Sequence, residues 1–177
     1  MFNQLRLMQL PNKQECFYIL EMLESSLITF HYTEPWADAI VSQLEKPPAW
    51  LCNFAIKQFK GDLTKMMRDH IYSEPFESGP PEMEKFYLAC LWLRYERREL
   101  SWATFLQRAG ERLDAASSDW ACETPYHYLN LFEGAYFSER AEQDTKRRYL
   151  AEHDLKPWIE KAEEKFAPFK AVRRAEG

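Results

Sequence analysis

Residues 82–114 read EMEKFYLACLWLRYERRELSWATFLQRAGERLD, and the fold predicted for the rest of the chain is organised around them. No side chain in residues 86–93 carries a charge, and a helix that is apolar on every side has to be covered on every side. This run is too short to cross a bilayer, which takes about 20 apolar residues in a helix. It therefore predicts a central helix, over about residues 82–98, that is buried within protein.

A second helix is predicted directly after the first. Pro80 and Pro81 precede the central helix, where proline is tolerated, and Ser101 is a favourable N-cap residue for the next helix. The apolar residues after Ser101 recur at the spacing of one helix face; they are Trp102, Phe105, Leu106, Ala109 and Leu113. We expect the two helices to form a hairpin with a short turn.

The composition of the whole chain favours an all-helical (all-α) protein. Its 177 residues include only 5 Gly, and residue types that favour helices are frequent. We predict a single all-helical domain over residues 1–177, built as an irregular bundle or α–α array of about eight or nine short helices around the central one. The loop 73–81, SEPFESGPP, is where the pattern indicates a subdomain boundary.

Capping residues and prolines indicate the other helix boundaries. Asn12, followed three residues later by Glu15, predicts a first helix at about 13–26. Residues 27–32 are interpreted as a connection, and the next helix is expected to start at Thr33, just before Pro35. A helix after Pro48 is expected to direct five apolar residues inward: Trp50, Leu51, Phe54, Ala55 and Phe59.

Three further boundaries follow from the same signals. Gly61 is expected to end the helix that follows Pro48, and Asp62 is expected to cap the one after it. A charged helix is predicted up to about His153, with Tyr149 and Leu150 among its few apolar anchors. The last helix is predicted to be amphipathic; its apolar residues are Trp158, Ile159, Ala162, Phe166 and Phe169.

Charge and cysteine content exclude several classes of protein. The net charge of -5 and the isoelectric point near 5.5 argue against a nucleic-acid partner, because phosphates are bound by basic surfaces. The cysteines, which are Cys16, Cys52, Cys90 and Cys122, lie apart among apolar residues and are expected to be core thiols. Without a CxxC pair or a cysteine–histidine cluster, we expect no metal and no cofactor. The N-terminus does not resemble a signal peptide, so a cytoplasmic protein with no membrane segment is expected.

Common catalytic signatures are missing from the sequence, including GxSxG, GxxxxGK[ST] and HExxH. One acid–histidine pair, Glu123 with His127, has the spacing of a helix face. It is the basis of an enzyme interpretation, in which a deep pocket lies between the last helices. The simpler interpretation of a lone histidine such as His70 is a helix-end residue.

Acidic residues are concentrated in residues 109–144, where eight acids occur against two bases, Arg112 and Arg140. Aromatic residues of the types that dominate protein interfaces lie among them. The pattern predicts a surface that attracts a basic protein, and the residues assigned to it are Asp114, Asp119, Trp120, Glu123, Tyr126, Glu133, Tyr136 and Glu139. The alternative interpretation is an ordinary solvated face over aromatic core residues.

Residues 93–110, LRYERRELSWATFLQRAG, together with the Trp50-Leu51 pair and the acidic stretch, resemble a family of small, mostly uncharacterised all-helical bacterial proteins. That family includes immunity proteins of contact-dependent growth inhibition systems, and the resemblance covers about residues 45–140. It implies a non-enzymatic cytoplasmic protein that neutralises a cognate toxin by occluding it. An acidic surface suits a basic toxin such as a nuclease, whose cleft holds phosphates. A helical adaptor or scaffold with another protein partner is the alternative hypothesis.

Overall fold

A computed structural model of the chain describes residues 9–115, 123–134 and 140–175, and it describes side chains for 9–115, 123–129 and 144–172. Within these ranges the prediction of an all-helical array is confirmed, since helices and turns account for the whole structure and no strand is present. The helices are α1 (Lys13–Glu24), α2 (Phe30–Val41), α3 (Ala49–Ala55), α4 (Lys60–Ile71), α5 (Met83–Glu96), α6 (Trp102–Asp114), α7 (Glu123–Gly134), α8 (Arg140–Tyr149) and α9 (Lys156–Ala175). A π-helical turn, Leu150–Asp154, follows α8.

The helices belong to two compact units of the chain. The first unit comprises Met1–Pro81 with Glu164–Gly177, and the second comprises Glu82–Glu163. The first division lies at the end of loop 73–81. Helix α9 begins in the second unit and ends in the first, and no pattern in the sequence indicates this return.

The second unit is built on the hairpin of α5 and α6. Seven of the eight residues at 86–93 are buried, and Tyr87 is half-buried, so the prediction of a covered apolar helix is confirmed. Ser101 caps α6 as predicted, because its hydroxyl accepts a hydrogen bond from the Thr104 N–H at 3.1 Å. The core of this unit joins both helices to the turn before α9; its buried residues are Leu88, Leu91, Trp92, Trp102, Phe105, Leu106, Ala109, Leu113 and Leu155.

The first unit is held by contacts between consecutive helices and between helices that are distant in sequence. Helix α1 packs on α4, and α2 packs on α3. The N-cap of α1 is the predicted one, with the Asn12 side-chain oxygen accepting from the Glu15 N–H at 2.9 Å. The end of α9 completes this unit, where Phe169 stacks on Trp36 with ring centroids 4.8 Å apart. These aromatic contacts connect residues more than 100 positions apart in the chain.

Helix α2 begins earlier than predicted. Its N-cap is Thr29 and its first residue is Phe30, so residues 30–32 are helical and not part of a connection. Pro35 lies inside the helix, although the sequence rule places proline in a first turn. The burial of Trp36 and Ile40 on the same helix outweighs the one backbone hydrogen bond that proline removes.

Two aromatic residues expected to anchor helices are exposed. Helix α3 ends at Ala55, so the register that would turn Phe59 inward is not continued, and this side chain is 76% exposed. Gly61 and Asp62 accordingly lie in the first turn of α4 instead of separating two helices. Tyr149 is 57% exposed because the π-helical turn after it changes the register.

Two buried threonines of the first unit give opposite predictions for stability. Thr33 is fully buried, and its hydroxyl has no hydrogen-bond partner among the described residues, whereas Thr64 donates to the Lys60 and Gly61 carbonyls at 3.0 and 3.1 Å. We expect Thr33→Val to raise the free energy of unfolding by about 1 kcal/mol and Thr64→Val to lower it by about 1 kcal/mol, because only the first change removes an unsatisfied polar group. Urea titration followed by circular dichroism measures both, and a loss of stability in Thr33→Val would contradict the packing described for α2.

Candidate functional site

The structure describes only part of the acidic surface predicted in residues 109–144. Asp114 at the end of α6 and Glu123 at the start of α7 are exposed, and Tyr126 is half-buried. The remaining assigned residues lie outside the described side chains; they are Asp119, Trp120, Glu133, Tyr136 and Glu139. The surface as a whole therefore stays a prediction.

Tyr126 has a packing role within the second unit. A Cβ atom placed on Gly110 would lie 2.6 Å from the Tyr126 ring, so the ring rests directly on the backbone of α6. Only glycine permits so close an approach. Part of the surface of the Tyr126 side chain is thus buried between α6 and α7, so less of that surface can contact a partner.

Cations cover several aromatic rings of the second unit. The Arg147 guanidinium lies 5.1 Å from the Trp102 ring centroid and is paired with Asp144 at 2.6 Å. Lys146 lies 4.9 Å from the centroid of Tyr128. Cation–π contacts of this kind stabilise the packing and partly neutralise nearby carboxylates. The described part of the acidic stretch is consequently less uniform in charge than the sequence alone indicates.

The second unit contains a cavity of about 200 Å³ next to the proposed acid–histidine pair. Thr124 and Tyr128 of α7 line it, whereas Glu123 and His127 are exposed and lie one residue earlier, about 100° around the helix. Neither residue of the pair is among those that line this cavity. The enzyme interpretation therefore stays a prediction.

A different acidic and aromatic surface is fully described in the first unit, at residues 72–77. Tyr72 and Phe76 are 62% and 57% exposed, and their rings stack with centroids 6.2 Å apart at an interplanar angle of 11°. Glu74 and Glu77 are exposed within the same segment. Large exposed aromatic side chains beside charges of one sign are characteristic of interaction surfaces.

This 72–77 segment is anchored to α1. The Lys13 ammonium donates to the carbonyls of Ser73 and Pro75, and the Gln14 amide donates to the carbonyl of Ser78 at 2.7 Å. The Phe17 ring meets Tyr72 edge-on, with centroids 6.4 Å apart. These contacts hold the exposed rings on a fixed base.

The charge around the 72–77 segment has one sign over a long stretch of sequence. Residues 69–84 contain five acids and no Lys or Arg, but Asp69 and Glu82 are ion-paired with Lys65 and Lys85, which leaves Glu74, Glu77 and Glu84. Below the segment, Lys13 supplies one positive charge, but its ammonium is engaged by two backbone carbonyls. The sequence SEPFESGPP contains acids and an aromatic residue, but its turn-forming residues indicate only a loop and a boundary. Exposure of its aromatic residues could not be inferred from periodicity.

Two titratable side chains of the first unit have shifted pKa values without being poised for catalysis. Burial, reinforced by the Glu15 carboxylate, raises the pKa of Cys16 to about 12, so the thiol stays protonated and is a poor nucleophile at neutral pH. Burial and then the charge of Lys13 lower the pKa of His70, whose ring stacks on Trp50 with centroids 4.2 Å apart. Both side chains act in packing, as expected for a core thiol and a helix-end histidine.

The described residues contain neither a metal-binding cluster nor a membrane-spanning helix. No group of three or more His, Cys, Asp or Glu side chains could hold a metal ion in the described part of the chain. None of the helices at 9–115, 123–134 and 140–175 combines the length and apolar character needed to cross a membrane.

No protein-family model, curated protein or solved structure matches this chain. The resemblance of residues 45–140 to a family with immunity proteins therefore stays a prediction. The functional proposal depends on the chemistry of the chain's own surfaces.

Proposed function

We propose that this protein is a non-enzymatic immunity protein that binds a basic protein toxin and occludes its active site. The 72–77 segment is the observation that carries the proposal, because two stacked, exposed aromatic rings and two exposed carboxylates lie together on an anchored loop. Aromatic side chains supply most of the binding energy at protein interfaces, and carboxylates accelerate association with a basic partner. Anchoring before binding lowers the entropic cost of the complex.

A nuclease is the toxin class that this chemistry suits best. Its active site has to attract phosphates and is therefore basic, so a surface of carboxylates can occupy the same cleft. Such an inhibitor would act in the cytoplasm, where the nucleic acid substrate lies. The resemblance of residues 45–140 supports the same class of function. The predicted 109–144 surface, with Asp114 and Glu123 exposed, is the second place where the toxin could be contacted.

The aromatic contribution is tested with the protein encoded by the neighbouring gene as the partner. We expect a stoichiometric complex whose affinity falls at least about 10-fold in the double variant Tyr72→Ala with Phe76→Ala. The matched control is Ile56→Ala with Phe59→Ala, which removes two equally exposed apolar side chains from the same unit and should change the affinity less than about 2-fold. Isothermal titration calorimetry measures both variants.

The contribution of the carboxylates is tested by measuring the rate at which the protein associates with the same partner. Glu74→Gln with Glu77→Gln should slow association and weaken its dependence on salt, whereas the exposed pair Glu34→Gln with Glu45→Gln should not. Absence of a complex, or a complex that does not inhibit the partner, would contradict the immunity function. If only the double variant Asp114→Asn with Glu123→Gln slows association, the immunity function still holds, but the toxin is contacted by the second unit. His127→Ala should leave inhibition unchanged, whereas an enzyme would lose its activity.

A further inference from the structure

The cavity of the second unit has a floor that is almost entirely apolar. The helical hairpin contributes Leu88, Phe105, Leu106, Ala109 and Leu113, each at most 3% exposed. A dry apolar cavity of about 150 Å³ is large enough to bind benzene, so a volume of about 200 Å³ suits one aromatic ring with a short chain. Ala109 is the smallest side chain of the floor and leaves the most room above it.

One charged side chain in the described lining, Asp154, favours one orientation of a ligand in the cavity. Asp154 lines it and is exposed, while Thr124 and Tyr128 add two hydroxyl groups from α7. The described lining contains no Lys or Arg, although the Lys146 ammonium lies beyond it, 4.9 Å from the centroid of Tyr128. A ligand that places its ring on the floor would meet a carboxylate at the opening. The lining favours a cationic end group there.

The π-helical turn explains why Asp154 lies at this position. Leu155 N–H donates to the Leu150 carbonyl at 2.9 Å, a five-residue spacing that is wider than an α-helical turn. Leu150 and Asp154 both line the cavity, whereas Tyr149 and His153 stack on each other outside it, with centroids 4.4 Å apart. Single π-helical turns occur frequently at functional sites. Here the wider turn directs one carboxylate to the opening of an apolar space.

We propose that this cavity is a binding site for a small arylalkylamine, with the aromatic ring on the apolar floor and the ammonium group at Asp154. The ring is recognised by burial, which stabilises binding by roughly 25 cal/mol per Å² of apolar surface. The ammonium is recognised by a charge-assisted hydrogen bond to the carboxylate. This site is separate from the 72–77 segment and does not depend on the immunity function.

The test compares three probes that share one ring and differ in the end group: phenethylamine, phenethyl alcohol and 3-phenylpropionate. Ligand-observed NMR with the full chain should give saturable binding in which the amine is favoured over the alcohol and the acid is weakest. Asp154→Asn should reduce the affinity for the amine about 10-fold and leave the alcohol unchanged. The control is Glu152→Gln, an exposed acid in the same turn that does not line the cavity, and it should leave all three probes unchanged.

Substitutions in the floor of the cavity test whether the aromatic ring of the ligand binds there. Ala109→Leu should abolish binding of the amine by filling the cavity, with circular dichroism used to check folding. If that variant does not fold, Leu113→Ala serves instead and should admit the larger 2-naphthylethylamine, which the natural protein should bind more weakly than phenethylamine. Absence of saturable binding, equal affinity for the three probes, or an equal effect of Glu152→Gln would each overturn the proposal.

Discussion

Phe54→Ala is expected to lower the free energy of unfolding by about 3–5 kcal/mol, whereas Phe59→Ala is expected to change it by less than about 0.5 kcal/mol. The two residues are five positions apart, and the sequence pattern predicts that both point inward. Phe54 is 0% exposed and its ring meets Trp36 edge-on, with centroids 6.2 Å apart. Phe59 is 76% exposed at the turn before α4. Truncation therefore leaves a cavity in the first case and removes only solvated surface in the second.

Urea titration of both variants under identical conditions measures this difference. Both residues belong to the first unit, so the comparison concerns a single core. The slope of the free energy against urea concentration should stay constant in both variants, because neither change alters the surface exposed on unfolding by much. Equal losses of stability in the two variants would show that α3 extends to Phe59 and that the described end of this helix is wrong.

Gly110→Ala is expected to lower the free energy of unfolding by about 1–3 kcal/mol, although alanine is the better helix former by about 1 kcal/mol. The added methyl group would lie 2.6 to 2.9 Å from three atoms of the Tyr126 ring, so α6 and the ring would have to separate. The matched control is Gly61→Ala in the first turn of α4, where nothing lies within 4 Å of the added atom. That variant should gain about 0.4–1 kcal/mol because the unfolded chain has fewer conformations to lose.

A double-mutant cycle tests whether the Tyr126 ring causes the loss of stability in Gly110→Ala. In a Tyr126→Ala background, Gly110→Ala should cost much less than it does in the natural protein, since the atoms it would meet are gone. Thermal unfolding followed by circular dichroism provides the four values of the cycle. Additive effects of the two changes would contradict the close contact between α6 and α7.

Local patterns in the sequence were sufficient for the central hairpin. The uncharged run at 86–93 can be shielded from water only inside the protein, so its burial is predictable from these residues alone. The N-cap at Ser101 is predictable too, because its hydrogen bond lies within a single turn. Asn12 is a second example, because its hydrogen bond to the Glu15 N–H lies within four consecutive residues. The irregular features were not predictable in this way. The early start of α2, the end of α3 and the π-helical turn all differ from what the local patterns predict.

At the candidate sites, too, some features are predictable from the sequence and others depend on tertiary contacts. The count of acids in residues 109–144 is available from the sequence, but the half-burial of Tyr126 and the contact of Arg147 with the Trp102 ring are not. In the 72–77 segment the sequence showed acids and aromatic residues within a loop, and the contacts with Lys13, Gln14 and Phe17 show that the loop is anchored with its rings outward. Those contacts join residues about 60 positions apart, a separation at which sequence periodicity carries no information.

Local sequence features are enough to predict that this protein is helical, where its hairpin lies and that the run at 86–93 is buried, because helix periodicity, caps and the exclusion of apolar surface from water act within a few turns of the chain. Contacts between helices select which aromatic residues remain at the surface, which unit the end of α9 joins and where a cavity opens beside Asp154. These properties arise from contacts between helices, and the same residue type is buried or exposed according to the helix that happens to pack against it.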